Sequence, residues 1–101
     1  MIERLRKICM ALPDATETTN FDHPFFRVKN KPFCVFHGAI AFKVLKTEQN
    51  IFLEDPRFFK TPYMHHHGWV SLHAERKLDW REIAELVQAS YELTARPPRK
   101  R

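Results

Sequence analysis

Basic and aromatic side chains alternate along one predicted strand, and nucleic acids bind this combination of residue types. Phe25, Arg27 and Lys29 point to the same side of an extended segment, because successive side chains of a strand face opposite ways. Cations bind phosphate, and flat rings stack on bases. The nucleic-acid-binding candidates are Lys29, Lys31, Lys43, Arg76, Lys77, Arg27, Trp69 and Phe25. The alternative is an ordinary solvated sheet face whose aromatic side chains are covered by residues 57–64.

Two predicted turns add basic groups to this hypothesis. Lys29-Asn30-Lys31 is the predicted tip of a hairpin, and such a tip can lie along a DNA backbone as a wing. Arg76 and Lys77 form a second basic tip, although it joins a strand to a helix rather than two strands. The alternative here is that the loops carry Lys and Arg for solubility, as most surface loops do.

Three consecutive histidines, His65 to His67, are the residues that would attract a metal ion. A zinc site needs three or four ligands at about 2 Å, usually supported by carboxylates. The sequence contains neither a His-x-x-x-His nor a Cys-x-x-Cys spacing. We therefore expect no physiological metal site and no cofactor, while adventitious binding of nickel or zinc is expected.

Nucleophilic catalysis would need a Cys or Ser beside a base. Cys9 is predicted on the inward face of a helix, Cys34 in a central strand and Ser90 in the last helix, and none has a base nearby in sequence. The Asp22-His23 pair is more typical of a turn than of an acid and a base. Two isolated glycines cannot form a phosphate-binding loop. We expect a protein without enzymatic activity.

The positive charge is concentrated at the C-terminus. The chain of 101 residues carries a net charge of +5, and four positive charges come from the last six residues: Arg96, Arg99, Lys100 and Arg101. The rest of the chain is nearly balanced, with 13 basic against 12 acidic side chains. A chain of this length supports one hydrophobic core. We therefore divide it into one domain over residues 1–95 and a basic tail over residues 96–101.

The sequence offers no signal for a membrane or for export. No apolar run approaches the roughly 20 residues of a membrane helix, and the first 14 residues carry charges throughout. The two cysteines are too few for a disulfide scaffold. We expect a cytoplasmic monomer with reduced thiols.

Three segments have helical patterns. Residues 2–12 place Leu5, Ile8, Cys9 and Leu12 on one face. Residues 47–53 are predicted to form a short helix with Thr47 as its cap. The last helix follows Asp79, with Glu82 in a capping-box arrangement, and ends before Pro97.

The remaining patterns predict an antiparallel sheet. The predicted strands cover residues 15–21, 25–29, 33–36, 39–45 and 69–73, and residues 57–64 are predicted to be irregular. Short connections favour an antiparallel meander. The expected fold is an α+β two-layer sandwich, with a sheet of about four to five strands and the N-terminal and C-terminal helices on one face. Its other face is left for solvent or a partner.

Several motifs resemble the MmcQ/YjbR family of small bacterial proteins. They span nearly the whole chain in the family's order: LRKICMALPDATET, HPFFRVKNKPFCVF, AFKV, PYM, GWVSL and ELVQASYEL. The matching positions within them are Leu12-Pro13, His23, Lys31, Phe33, Lys43-Val44, Pro62-Tyr63, Trp69-Val70 and Ser90-Tyr91.

The resemblance implies a fold similar to frataxin and to type III secretion chaperones. Because family members have been compared with double-wing DNA-binding domains, it also implies DNA binding. It supplies no catalytic residues. The sequence departs from the family at His65 to His67, where the resemblance leads us to expect Lys or Asn, and neutral histidine offers phosphate little charge.

Three hypotheses about function follow. The first is a non-enzymatic protein that binds DNA through its basic loops and open sheet face. The second is a protein-interaction or chaperone-like adaptor that uses the same face. The third is an enzyme or small-ligand protein, for which the expected mark is a deep pocket near His23, Tyr63 and Trp69 with a perturbed titratable group.

Overall fold

An antiparallel sheet of six strands carries the fold in the computed structural model, which describes residues 1–75 and 77–96. The helices are α1 (Ile2–Met10), α2 (Lys46–Leu53) and α3 (Trp80–Ala95). The strands are β1 (Thr16–Asn20), β2 (His23–Val28), β3 (Lys31–Phe36), β4 (Ile40–Lys43), β5 (Phe58–Lys60) and β6 (Trp69–Leu72). A short 3-10 turn, His65–His67, precedes β6. The α+β sandwich predicted from the sequence is confirmed.

The sheet has the strand order β1-β2-β3-β4-β6-β5, and every pair is antiparallel. The four consecutive strands β1 to β4 form the predicted meander. The edge strand β5 was missed, since residues 57–64 were predicted to be irregular. A strand of three residues is too short to show an alternating pattern in the sequence. Its pairing with β6, in which Phe59 lies opposite Ser71, is what defines it as a strand.

The hydrophobic core lies between one sheet face and all three helices. Phe26, Phe42 and Val70 occupy the sheet side, and Leu5 of α1 and Val87 of α3 lie in the same buried cluster. The prediction that the two terminal helices share one face is confirmed. The short helix α2 joins them, because its Phe52 packs edge-on against Phe42 and Phe58 at 6.0 and 5.3 Å between ring centroids.

A bulge in β3 explains why this strand is apolar at successive positions. Phe26 pairs with Cys34 and Arg27 pairs with Pro32, so Phe33 has no partner across the β2–β3 ladder. Such an extra residue locally disrupts the alternation of the strand. Phe33 and Cys34 both belong to the core cluster on the helix side, and the ring of Phe33 lies 5.4 Å from that of Tyr91 in α3.

The predicted Asp79 cap of the last helix is confirmed, although the Glu82 side chain bonds Arg57 instead of completing a capping box. The predicted Thr47 cap of the short helix is wrong. The carboxylate of Asp79 accepts hydrogen bonds from the backbone N–H groups of Arg81 and Glu82 at 3.1 and 3.3 Å. Helix α2 begins after Leu45, and Thr47 lies inside it, so no side chain caps its first turn. The carboxylate of Glu82 bonds the Arg57 guanidinium at 2.7 Å, which ties α3 to the start of β5.

Most of the described positions with positive φ are occupied by residues other than glycine, because the sequence has only two glycines. Asp14, Asp22 and Asn30 adopt this conformation, which short polar side chains tolerate. Phe21, Lys29 and Tyr63 adopt it as well, and these residue types rarely do.

Among the helices described, none combines the length and the apolar character needed to cross a bilayer.

Candidate functional site

The sheet face opposite the helices is partly covered. Met64 packs against a second buried cluster of Val35, Ala41 and Trp69. Trp69 is only 4% exposed, so the prediction that its ring lies on an open surface is wrong, and the alternative of a covered aromatic is confirmed for it. The covering segment, residues 61–67, is fixed by Gln49 of α2, whose amide donates to the carbonyl oxygens of His65 and Trp69.

A cleft of about 680 Å³ remains between the covering segment and the turn that joins β1 to β2. Its lining residues are Phe21, His23, Phe25, Val35, His37, Thr61, Pro62, Tyr63 and Met64. No Lys, Arg, Asp or Glu is among these residues, so within the described part of the chain the cleft wall is apolar and uncharged. Only the two histidines, Thr61 and the Tyr63 hydroxyl bring polar side-chain atoms to it.

A chain of hydrogen bonds runs beneath the cleft. His37 Nε2 lies 2.9 Å from Ser71 Oγ, and Ser71 Oγ lies 2.8 Å from Thr61 Oγ1. The register of β6 places Ser71 on this sheet face, opposite Ala41 and Phe59. Ser71 is fully buried, while His37 and Thr61 reach the cleft, so the polar groups connect one wall of the cleft to the other.

The imidazole of His37 is held in its neutral form. Burial lowers the pKa of His37, and the neighbouring imidazole of His23, whose ring centroid lies 6.3 Å away, lowers it further. A hydrogen bond within the His37 residue itself opposes these effects. At neutral pH the cleft therefore presents His37 as an uncharged hydrogen-bonding group.

Two exposed aromatic side chains stand at the cleft on strained backbone. Phe21 is 90% exposed with φ 52°, and Tyr63 is 93% exposed with φ 66°. A left-handed conformation costs a bulky residue about 1–2 kcal/mol. An exposed ring is also unfavourable, because its apolar surface stays in contact with water. Strained residues that gain nothing from packing are concentrated at binding sites. This arrangement makes the cleft the candidate functional site.

The basic candidates near the sheet are largely engaged within the protein. Lys29 Nζ donates to the carbonyl oxygen of Ala95 at 3.0 Å and so caps the end of α3. The guanidinium of Arg27 bonds Thr18 Oγ1 at 3.0 Å and lies over the half-buried ring of Phe25, 5.4 Å from its centroid.

The remaining basic candidates do not form one surface with these. Lys31 is exposed and Lys43 half-buried at the end of the sheet near Lys29. Lys77 is exposed and precedes the first turn of α3, whereas Lys29 lies at its last turn. A helix of 16 residues is about 24 Å long, so these two ends are well separated. Arg76 lies outside the described residues, as does the predicted tail apart from Arg96.

Candidate nucleophiles and metal ligands are not assembled into a site. Cys9, Cys34 and Ser90 are fully buried. A hydrogen bond from Cys9 and burial raise the pKa of the Cys34 thiol well above its ordinary value, so this thiol stays protonated at neutral pH. In residues 1–75 and 77–96, no three His, Cys, Asp or Glu side chains are placed to hold a metal ion.

Sequence reasoning missed His37, Thr61 and Phe21 as site residues. His37 lay between the predicted strands 33–36 and 39–45, and Thr61 lay in a segment predicted to be irregular. One signal was present: the turn at Phe21 and Asp22 contains neither Gly nor Asn at its first position, where a tight hairpin favours them. His23 and Tyr63 were named in the third hypothesis, and the cleft brings them together.

Comparison with known proteins agrees with the fold. The chain is similar to the crystal structure of the Deinococcus radiodurans protein DR2400, a DUF419 domain, with a TM-score of 0.79 and 19% sequence identity. The similarity covers 92% of this chain and 77% of that one, and at this identity it shows the fold alone. A search of curated proteins found no match. The YjbR family model matches residues 10–93, which is most of the chain. This protein belongs to the YjbR family.

Proposed function

We propose that this protein is a non-enzymatic binding domain whose site is the cleft and whose ligand is a small molecule without net charge. The cleft itself carries the proposal, since a cavity of about 680 Å³ with mainly apolar walls and few polar groups is typical of small-molecule sites. The lowered pKa of His37 adds support, because perturbed titratable groups concentrate at functional sites.

The charge of the cleft wall supports an uncharged ligand. A charged group that leaves water must be paired, and the nine lining residues include no charged side chain to pair with it. His37 is held neutral, so it supplies hydrogen bonding rather than charge.

The burial of the nucleophile candidates supports a non-enzymatic role. Ser71 lies beside His37 as a nucleophile would lie beside a base, yet its side chain is fully buried and its oxygen also bonds Thr61. A substrate in the cleft would reach Thr61 before it reached Ser71. Cys9 and Cys34 are in the core, on the far side of the sheet.

A fragment titration tests this function. We would add a set of uncharged small molecules, aromatic and aliphatic, to the isotope-labelled full-length chain and record amide correlation spectra. We expect some members to shift the amide signals of Phe21, His37 and Tyr63 in a saturable way, while Lys31 stays unchanged. If no member shifts a cleft amide at millimolar concentration, the small-molecule function is wrong. If peptides shift these amides and small molecules do not, the adaptor hypothesis replaces it.

DNA binding at one corner of the molecule is a second candidate. The contact between Lys29 Nζ and the carbonyl oxygen of Ala95 joins the hairpin tip to the point where the basic tail begins. Lys31 is exposed beside this contact, and Arg96 with three further basic residues follows in the sequence. This juxtaposition supports a phosphate-binding corner made of tip and tail, without Trp69 or Lys77.

Fluorescence anisotropy with labelled duplex DNA across a salt series tests the second candidate. Loss of two phosphate contacts in a Lys29→Ala/Lys31→Ala variant should reduce the salt slope by about 1.8. The matched control is Lys77→Ala, at the other end of α3, which should leave the slope unchanged. If binding is lost only when the chain is ended at Ala95, the tail acts as a generic polycation. If the full chain does not bind at low salt, DNA binding is wrong.

A further inference from the structure

The hydrogen-bond chain under the cleft ends at Thr61, whose hydroxyl keeps bonding capacity for a further partner. His37, Ser71 and Thr61 are joined by two hydrogen bonds. If the chain donates from His37 towards Thr61, the Thr61 hydroxyl hydrogen is left to donate. If it donates from Thr61 towards His37, a lone pair of Thr61 Oγ1 is left to accept. Thr61 is 3% exposed and is one of the residues that line the cleft.

A ligand hydroxyl satisfies either direction of the chain, because a hydroxyl both donates and accepts. A carbonyl oxygen would satisfy only one direction, and so would an amide N–H. Thr61 thus favours a hydroxyl at the polar end of the ligand.

The aromatic side chains determine what fits the rest of the cleft. Three aromatic residues line the cleft: Phe21 of the β1–β2 turn, Phe25 of β2 and Tyr63 of the covering segment. Aromatic rings prefer to contact other rings in edge-to-face or offset geometry, which adds to the apolar area they bury. Phe21 and Tyr63 are almost fully exposed and are therefore free to contact a ring that enters the cleft.

We infer that the cleft binds a flat aromatic molecule that carries a hydroxyl group, with its ring against Phe21 and Tyr63 and its hydroxyl at Thr61. This inference rests on the proposed small-molecule function and specifies the class of ligand. The ligand class is that of phenols and hydroxylated heterocycles without net charge.

Phenol, cyclohexanol and benzene are the probes that test the inference, each titrated into the labelled full-length chain at pH 7. Phenol and cyclohexanol share six carbons and a hydroxyl, and only phenol is flat. Phenol and benzene share the ring, and only phenol has the hydroxyl. We expect phenol to shift the amides of Phe21, Thr61 and Tyr63 in a saturable way and to bind more tightly than either of the other two.

Variants at exposed positions test the contribution of the aromatic rings to binding without disturbing the fold. Phe21→Asn and Tyr63→Asn remove side chains that support no core, and together they should weaken phenol binding about tenfold. Ile51→Ala is the matched control, since Ile51 is 66% exposed on α2 and does not line the cleft. It should leave phenol binding unchanged.

Equal affinity for cyclohexanol and phenol would overturn the aromatic part of the inference while the small-molecule function stands. Equal affinity for benzene and phenol would overturn the hydroxyl part. If none of the three probes shifts a cleft amide, the whole inference is wrong, and the wider fragment set then decides whether the proposed function fails with it.

Discussion

The hydroxyl of Ser90 in α3 lies 2.6 Å from the carbonyl oxygen of Phe33 in β3, and both residues are buried. The hydroxyl oxygen of Ser90, which donates to that carbonyl, also accepts the backbone N–H of Lys43 in β4 at 2.8 Å. The register pairs of β3 and β4 begin at Cys34 and Phe42, so Ser90 bridges the next two positions where the strands do not pair directly. One side chain of the helix thereby satisfies two backbone groups of the adjacent central strands β3 and β4.

Replacement of Ser90 by alanine should destabilise the fold by about 3 kcal/mol. The substitution leaves the buried carbonyl of Phe33 and the partly buried N–H of Lys43 without this partner, and each such group costs about 1–3 kcal/mol. Chemical denaturation of the two proteins measures the difference. Gln88→Ala is the control on the exposed face of the same helix, and it should change stability by less than about 0.5 kcal/mol. A Ser90→Ala variant as stable as its parent would contradict this bridging role.

The two glycines should respond differently to alanine. Both have positive φ, 88° at Gly38 and 89° at Gly68, so each alanine carries the left-handed cost of about 1–2 kcal/mol. At Gly38 a Cβ meets no atom within 4 Å, whereas at Gly68 it would lie 2.8 Å from the backbone oxygen of Val44. Thermal unfolding should therefore show a clearly larger loss for Gly68→Ala than for Gly38→Ala. Similar losses would mean that the backbone of Val44 yields easily.

Phe21→Asn should stabilise the protein by about 1 kcal/mol while it weakens ligand binding. Phe21 and Asp22 have consecutive positive φ values, the feature of a tight hairpin turn in which asparagine is favoured. The Phe21 ring is exposed, so its loss removes little packing. Denaturant midpoints measure the effect. Phe21→Ala is the control, because alanine removes the ring and retains the strain, and it should bring no such gain.

The pKa of His37 should rise when His23 is replaced by glutamine. Burial is the larger cause of the lowered pKa, and the charge of His23 is the second, so only the second is removed. Imidazole signals followed by NMR against pH give the value for each protein. An unchanged or lower pKa in His23→Gln would show that the two rings do not interact electrostatically.

The lowered pKa of His37 also makes the stability of the fold depend on pH. Because the folded state lowers the pKa of His37 below the ordinary imidazole value of about 6.5, the unfolded chain binds the proton more readily. His37 therefore does not reduce the stability of the fold above about pH 6.5. Stability falls as the pH is lowered from there towards the pKa of His37 in the folded state. Unfolding titrations of the parent and of His37→Gln should show that the variant loses less stability over that interval.

Much of the architecture could be predicted from local sequence. Apolar spacing at Leu5 and Cys9 gave the first helix, Asp79 marked the start of the last, and alternation at Phe26 and Val28 identified a strand and its buried face. These features depend on the 3.6-residue and two-residue periods of the backbone, which neighbouring residues reveal. The family resemblance covered the same elements.

The sequence by itself determined the buried faces of the first helix, the last helix and β2, and that the chain folds as an α+β sandwich of the YjbR family. Only the tertiary structure decided that Trp69 is covered, that Lys29 caps a helix, and that His37 and Thr61 meet through Ser71. The cleft joins a turn after β1, the end of β3 and the segment after β5, which are distant in the chain. Their proximity follows from sheet order and from the fold of one loop over the sheet, and no periodicity in the sequence encodes either.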